Sequence, residues 1–462
     1  MNKTTKKLLA GFSVFLLFLI LVIWALPEWI NPNNYKSELS ALIKTKTGYD
    51  VAFQGDMTVS MFPEIILNIE KMEISNQSGF QEVPFMAIEN STIKLKPFPL
   101  LRKKIDRYSF TLDGLTLNLV KDEQGFNNWD GLIAPDSTLQ TNTATTKQDD
   151  ARYTSHSVLS ALTLSGIAIQ NARVNWINRQ TGEHLAFDNI RFNADKLVLG
   201  EWLGMKLSMD ISGRSVKFPQ PINWALKWAT DLRVDEKLDH FIFRNSRIDG
   251  VTPQRTTAQT LIAAVTIPHA TVNIRKQALQ LSGLQFHSGD IAINANLTGE
   301  QLIDKPVIQG SATIAPFNPH ALFKQWGFAL PTMRDPSSLT NLGMSFHFKA
   351  DPKQAEINHL DAVMDNSHGT GSVTVKDFVS PTLLFDLAVD SIDVDRYLAP
   401  KDSTNLMAPS TYVGPLNWLK KRDAEGNITV GKMTLNEMTV QNARLMLDSK
   451  KGSVNIRQRT ND

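Results

Sequence analysis

Residues 222–234 read INWALKWATDLRV, and this stretch decides the fold class. Ile222, Trp224, Leu226, Trp228, Leu232 and Val234 fall on alternate positions, with Asn223, Ala225, Lys227, Ala229, Asp231 and Arg233 between them. A helix would scatter the large side chains around its axis, whereas a strand gathers them on one face and leaves the polar or small ones on the other. The same period of two recurs in 110–120 (FTLDGLTLNLV), 291–297 (IAINANL), 344–348 (MSFHF) and 372–375. Gly, Asn, Asp and Pro clusters separate these runs, as strand turns require. The pattern predicts a mainly β chain with a largely antiparallel sheet that is dry on one face. Periodicity leaves open whether that face lines an open groove or closes on another sheet.

The chain has 462 residues, too many for one compact core, so two domains or one repetitive body are both allowed. Its 48 Lys and Arg nearly balance 46 Asp and Glu, which argues against a nucleic-acid partner steered by a basic face. Cysteine is absent, so disulfides, thiolate metal sites and a cysteine nucleophile are all excluded.

Ahead of the strands, Lys3, Lys6 and Lys7 precede the uncharged run LLAGFSVFLLFLILVIWAL from Leu8 to Leu26. Its length matches the ~20 residues that cross a bilayer as a helix. The run continues into Trp24, Pro27, Glu28 and Trp29 rather than into a small-residue cleavage site, so it reads as an uncleaved anchor. The positive-inside rule keeps the lysines cytoplasmic and places everything after about residue 30 across the membrane. A helix capped by Asn33 or Asn34 is expected through Lys46, with Tyr35, Leu39, Leu42 and Ile43 on one side. That stripe either lies at the membrane surface or packs on the neighbouring domain.

The expected organisation is a cytoplasmic stub and anchor over 1–30 and an N-terminal β segment with the short amphipathic helix over 31–133. A polar mobile loop, APDSTLQTNTATTKQDDARYTSHS, covers 134–157, and a β body covers 158–462. Allowing about 14 residues per strand and turn gives roughly 30 strands. Further short helices are predicted at PFNPHALFKQWG, capped by Asn318 and stopped at Gly327, and at VDRYL near Asp395.

One sentence is written nearly twice: LTLSGIAIQNARVNW over 162–176 and MTLNEMTVQNARLML over 433–447. Repeated units of this kind stack so that each buries its apolar face against its neighbours, and QNAR reads as a turn or a strand crossing. A third relative, TLDGLTLNLVKDEQG, ends at Gly125.

No recognised catalytic fingerprint is present, the nine histidines are dispersed, and no cofactor or metal is expected. His368 in DNSHGTGS is better explained by a turn between strands than by a hydrolytic role. Asp390, Asp393 and Asp395 in DSIDVD lack the glycine and terminal glutamate of a calcium loop and read as helix caps. Arg102, Lys103, Lys104 and Arg107 form a basic cluster that can meet anionic lipid headgroups or simply be a solvated loop. The chain is therefore expected to bind rather than catalyse, with the 222–234 face as a wall that shelters apolar ligand.

Six segments in order resemble the AsmA family of membrane-anchored periplasmic proteins of Gram-negative bacteria. They are the anchor with NPNNYKSELSALIKTKTGYDVAFQGDMTVSMFPEIILNIEKMEISN, then LDGLTLNLVKDEQGFNNWDG, QNARVNWINRQTG, PFNPHALFKQWG, LDAVMDNSHGTGSV and FDLAVDSIDVDRYL. The resemblance implies an elongated, twisted, open β-groove anchored in the inner membrane. It also implies a role in outer-membrane biogenesis, with phospholipids as partners; other envelope proteins are further candidates, and oligomeric state is left open. A structural or chaperone-like role in outer-membrane protein assembly is the alternative. Family members usually continue past the second QNAR unit, whereas this chain ends in the polar tail SVNIRQRTND; a short member and a truncated reading frame both account for that.

Overall fold

The computed structural model describes residues 31–60, 64–77, 79–80, 82–95, 106–130, 163–216, 221–252, 260–326, 330, 332–400, 423–450 and 453–460. The anchor expected at 8–26, the loop expected at 134–157 and Gly327 lie outside them. Among the described residues there are 22 strands, many of them 11–16 residues long and so longer than the sequence estimate of about 14 residues per strand and turn allows. No helix among them is long and apolar enough to cross a membrane.

The chain divides into two compact units, Met1–Lys237 and Leu238–Asp462. In the first, Pro32–Tyr35 forms a 3-10 turn and Lys36–Thr47 forms helix α1, which stops at Gly48 in the left-handed region, φ +77°. Asn31 caps this start rather than Asn33 or Asn34, by accepting from the Asn33 amide. Asn33 is used instead to hold the helix to a strand: its amide donates to the Met57 carbonyl at 3.0 Å and its oxygen accepts from the Met57 N–H at 2.9 Å.

The strands of this unit are β1 (Val51–Phe53), β2 (Met57–Ser60), β3 (Ile65–Ile74), β4 (Met86–Leu95), β5 (Asp106–Asp113), β6 (Thr116–Lys121), β7 (Thr163–Asn178), β8 (Glu183–Ala194), β9 (Trp202–Arg214) and β10 (Ile222–Val234). β1 and β2 both pair with β3, β3 with β4, and β4 with both β5 and β6, all antiparallel. The expected single strand at 110–120 is broken at Gly114, φ +68°, into β5 and β6, which lie successively along β7. Those two pairings are parallel; β7 to β10 then continue antiparallel.

The second unit is a meander of β11 (His240–Val251), β12 (Ile262–Asn273), β13 (Ala278–Ser288), β14 (Ile291–Glu300), β15 (Val307–Phe317), β16 (Leu342–Ala350), β17 (Gln354–Met364), β18 (Ser367–Lys376), β19 (Thr382–Asp393), β20 (Asp423–Leu435), β21 (Met438–Lys450) and β22 (Ser453–Thr460). Successive strands pair antiparallel except β19 with β20, which are parallel. A parallel step needs a connection of a dozen or more residues, and both parallel steps fall at long ones, 122–162 and 394–422. The polar tail carries β22, paired to β21 from Lys450↔Ser453 to Ala443↔Thr460.

A polar clamp holds the connection between β15 and β16. It contains helix α2 (Pro319–Gln325), capped as expected by Asn318, whose side chain accepts from the amides of His320 and Ala321. The Asp365 carboxylate accepts from the amides of Leu339 at 2.6 Å, Thr340 at 2.8 Å and Asn341 at 3.1 Å and from the Tyr397 hydroxyl at 2.7 Å. Burial opposes its charge, but these bonds win and hold its pKa below the usual carboxylate value. The same clamp raises the Tyr397 hydroxyl, first through burial and then through its bond to Asp365. Asp335 accepts from the Ser337 hydroxyl and amide and from Arg396, which lowers its pKa to about 2.

Candidate apolar binding face

The register of β9 and β10 tests the 222–234 reading residue by residue. Trp224 stands opposite Ile211, Leu226 opposite Met209, Trp228 opposite Leu207 and Leu232 opposite Leu203, while Lys227 and Asp231 stand opposite Ser208 and Gly204. Opposed residues share a face, so the strand's apolar set and its neighbour's lie together. Ile222 and Val234 complete the wall at its ends. Alternation passed over one member: Thr230 lies on the same face, buried, opposite Met205. Its parity was readable even though its chemistry was not.

Each unit, taken by itself, carries an apolar row well beyond one strand pair. One row crosses the first unit as Val51, Ile74, Met86, Leu117, Val174, Phe187, Ile211 and Trp224, from β1 to β10. A row of the second unit reads Phe243, Ala270, Leu281, Leu297, Gly310, Phe348, Ile357, Val373, Phe385, Gly426 and Leu447, from β11 to β21. Every member of both rows is apolar or glycine. The two glycines lie beside aromatic rings: a Cβ on Gly310 would stand 2.9 Å from the Phe348 ring, and one on Gly426 would stand 2.6 Å from that of Phe385.

Straight alternation cannot produce such rows, because several strands change parity midway. In β7 the apolar face passes from Ile169 to Ala172, three positions on, and the register shifts there. Asn171, the asparagine of the first QNAR, sits at φ +51° in that bulge and its side-chain amide donates to Asp113 at 2.8 Å. In the second QNAR, Asn442 at φ +50° likewise separates Val440 from Ala443 in β21, but there the register with β20 runs on without a shift. QNAR is therefore neither a turn nor a crossing but a left-handed step inside a strand, accompanied by a bulge in β7, and asparagine suits it because it tolerates the left-handed region. Asn189, Asn245 and His359 have φ of +52°, +53° and +51° at equivalent steps in β8, β11 and β17. The two long repeats differ before QNAR, since 433–435 end β20 and the chain turns at Asn436 and Glu437 into β21.

Ile222, Trp224, Leu226 and Trp228, with Leu207, Met209 and Ile211 opposite, are half-buried, and only Leu203, Thr230 and Val234 are buried at one end.

The other candidate residues are not gathered here. Arg102, Lys103 and Lys104 lie outside the described residues, and Arg107 is placed only as a backbone position of β5. His368 stands just after the β17–β18 turn with its ring nitrogen 3.2 Å from Asp361. Asp393 caps the 3-10 turn Val394–Tyr397, while Asp395 accepts from the amides of Asn436 and Glu437 at 2.9 and 2.8 Å. Among the described residues no group of three or more His, Cys, Asp or Glu side chains could hold a metal ion.

The AsmA family model matches residues 1–461. Protein AsmA of Escherichia coli (strain K12) is 22% identical over 135 residues, which cover 29% of this chain and 22% of that relative's length. With a match along nearly the whole sequence and a β-sheet body in the described residues, the chain belongs to the AsmA family.

Proposed function

We propose that this protein is anchored in the inner membrane by residues 8–26, extends into the periplasm, and binds or conveys phospholipids along its apolar face in outer-membrane biogenesis. Family membership supports an envelope role, and the observation that supports the lipid reading is the unbroken apolar rows with half-buried Trp224, Leu226 and Trp228. An acyl chain resting on such rows recovers roughly 0.8 kcal/mol for each methylene removed from water. Binding by this route needs no specific polar contact, so it accepts lipids of different headgroups. The role is one of binding rather than catalysis.

A photocrosslinking amino acid at Trp228 should capture phospholipid in living cells, and the same probe at Lys227, on the opposite face, should not. Equal capture at both positions, or none at either, would sink the reading. Loss of particular outer-membrane proteins on deletion, without any lipid adduct at Trp228, would favour the chaperone-like alternative.

A further inference from the structure

We propose that helix α1 lies along the periplasmic surface of the membrane in which the chain is anchored, with Tyr35, Leu39 and Leu42 inserted into the lipid interface. This rests on the reading of residues 8–26 as an anchor. Leu39 and Leu42 are three positions apart on α1 and share one side of it, and Tyr35, at the end of the 3-10 turn that runs into the helix, precedes Leu39 by four. Tyr35, Leu39 and Leu42 are exposed to 57%, 37% and 56%. The half-buried positions Lys36, Ser40 and Ile43 form the adjoining side, which faces the body.

The helix cannot roll this stripe inward. Asn33 bonds both backbone groups of Met57, the Lys36 ammonium donates to the Gly55 carbonyl at 2.8 Å, and Lys44 pairs with Asp50 at 2.6 Å. These ties fix α1 against the loop and strands that open the sheet, so the stripe is presented outward in one orientation.

Chain length decides the occupant. The apolar run ends at Leu26 and Tyr35 follows nine positions later. Even fully extended, nine residues reach only ~30 Å, so the stripe cannot stand far from the bilayer surface. Trp29 lies within that short span and suits the interface. Three side chains are a weak membrane ligand alone, but tethering makes their insertion intramolecular, and modest affinity then suffices. The consequence is that β1, where the row to Trp224 begins, is held beside lipid.

The chain has no cysteine, so single cysteines can be labelled cleanly. The full chain is reconstituted into phosphatidylethanolamine and phosphatidylglycerol vesicles with an environment-sensitive dye at Leu39→Cys or Leu42→Cys, with Ser37→Cys and Phe15→Cys as references. Emission at 39 and 42 should shift to the blue, be quenched by nitroxide-bearing lipid and resist aqueous iodide, while Ser37→Cys behaves oppositely. Iodide quenching at 39 and 42 equal to that at 37, with position 15 still quenched by lipid, overturns the proposal and leaves the anchor standing. Resistance at 39 and 42 to both quenchers means protein covers the stripe, either residues 1–30 or a second copy, and also overturns it. Absence of lipid quenching at position 15 removes the anchor itself and the proposal with it.

Discussion

Trp228 offers the sharpest test of whether the apolar face is open. The side chain is half-buried and stands opposite Leu207. A tryptophan offers ~200 Å² for burial, and losing about two-thirds of that at ~25 cal/mol per Å² costs about 3 kcal/mol. Trp228→Ala should therefore destabilise the first unit by about that much, at the lower edge of the ~3–5 kcal/mol of a fully enclosed site, so alanine alone does not discriminate. Trp228→Glu is the decisive partner. On an open face its carboxylate stays hydrated, so the glutamate variant should fall within about 1 kcal/mol of the alanine one. Inside a closed core an unpaired charge adds several kcal/mol more. For a unit of this size the open case corresponds to a Tm loss of about 6–12 °C for both variants. Denaturant melts of the purified full chain, followed by circular dichroism, would measure both. A glutamate variant more than 3 kcal/mol below the alanine one, or one that fails to fold while alanine folds, would refute the open-face reasoning.

Three further outcomes are expected. Asn171→Ala should cost about 1–2 kcal/mol for the left-handed bulge at φ +51°, whereas Asn171→Gly should retain more stability; equal losses in urea melts would discount the backbone explanation. Gly426→Ala brings a Cβ to 2.2 Å from the Phe385 carbonyl and 2.6 Å from its ring, and should cost about 1–3 kcal/mol, with loss of amide-exchange protection concentrated in β19 and β20. The pKa of Asp335 is lowered to about 2 by Ser337 and Arg396, so its contribution is present above the ordinary value of 3.8 and is lost as pH falls through about 2. Asp335→Asn should flatten that part of the acid limb in melts between pH 5 and 2, and an unchanged slope would show that the pair does not stabilise the fold.

Much of this architecture was legible in the sequence because a half-wet sheet writes itself as alternation. Ile222 to Val234 is one strand with the expected face, and PFNPHALFKQ is a helix with the expected cap. The parts that were misread involve a change of parity or a distant partner. QNAR looked like a turn because its asparagine has turn chemistry, yet Ile169 and Ala172 show that it serves to keep one face apolar through a bulge. Asn33 looked like a cap, but its partner Met57 lies 24 positions away. The split of 110–120 at Gly114 was visible as a glycine, though not its pairing with β7, because register is set by contacts between segments far apart in sequence. Whether the wall is open is not legible in the sequence, since alternation describes a covered face and an open one with the same letters.

The mixture of antiparallel and parallel neighbours also bears on how such a body changes over evolutionary time. Within each meander a whole hairpin can be gained or lost while the chain on either side keeps its direction and its partners still match. A lone strand cannot be gained or lost there, because every later segment would then run the wrong way. The parallel pairs of β5 and β6 with β7, and of β19 with β20, are where that rule relaxes, since a long connection returns the chain to its starting rim. Length should accordingly vary in steps of two strands within the meanders, and single-strand insertions should cluster at 122–162 and 394–422.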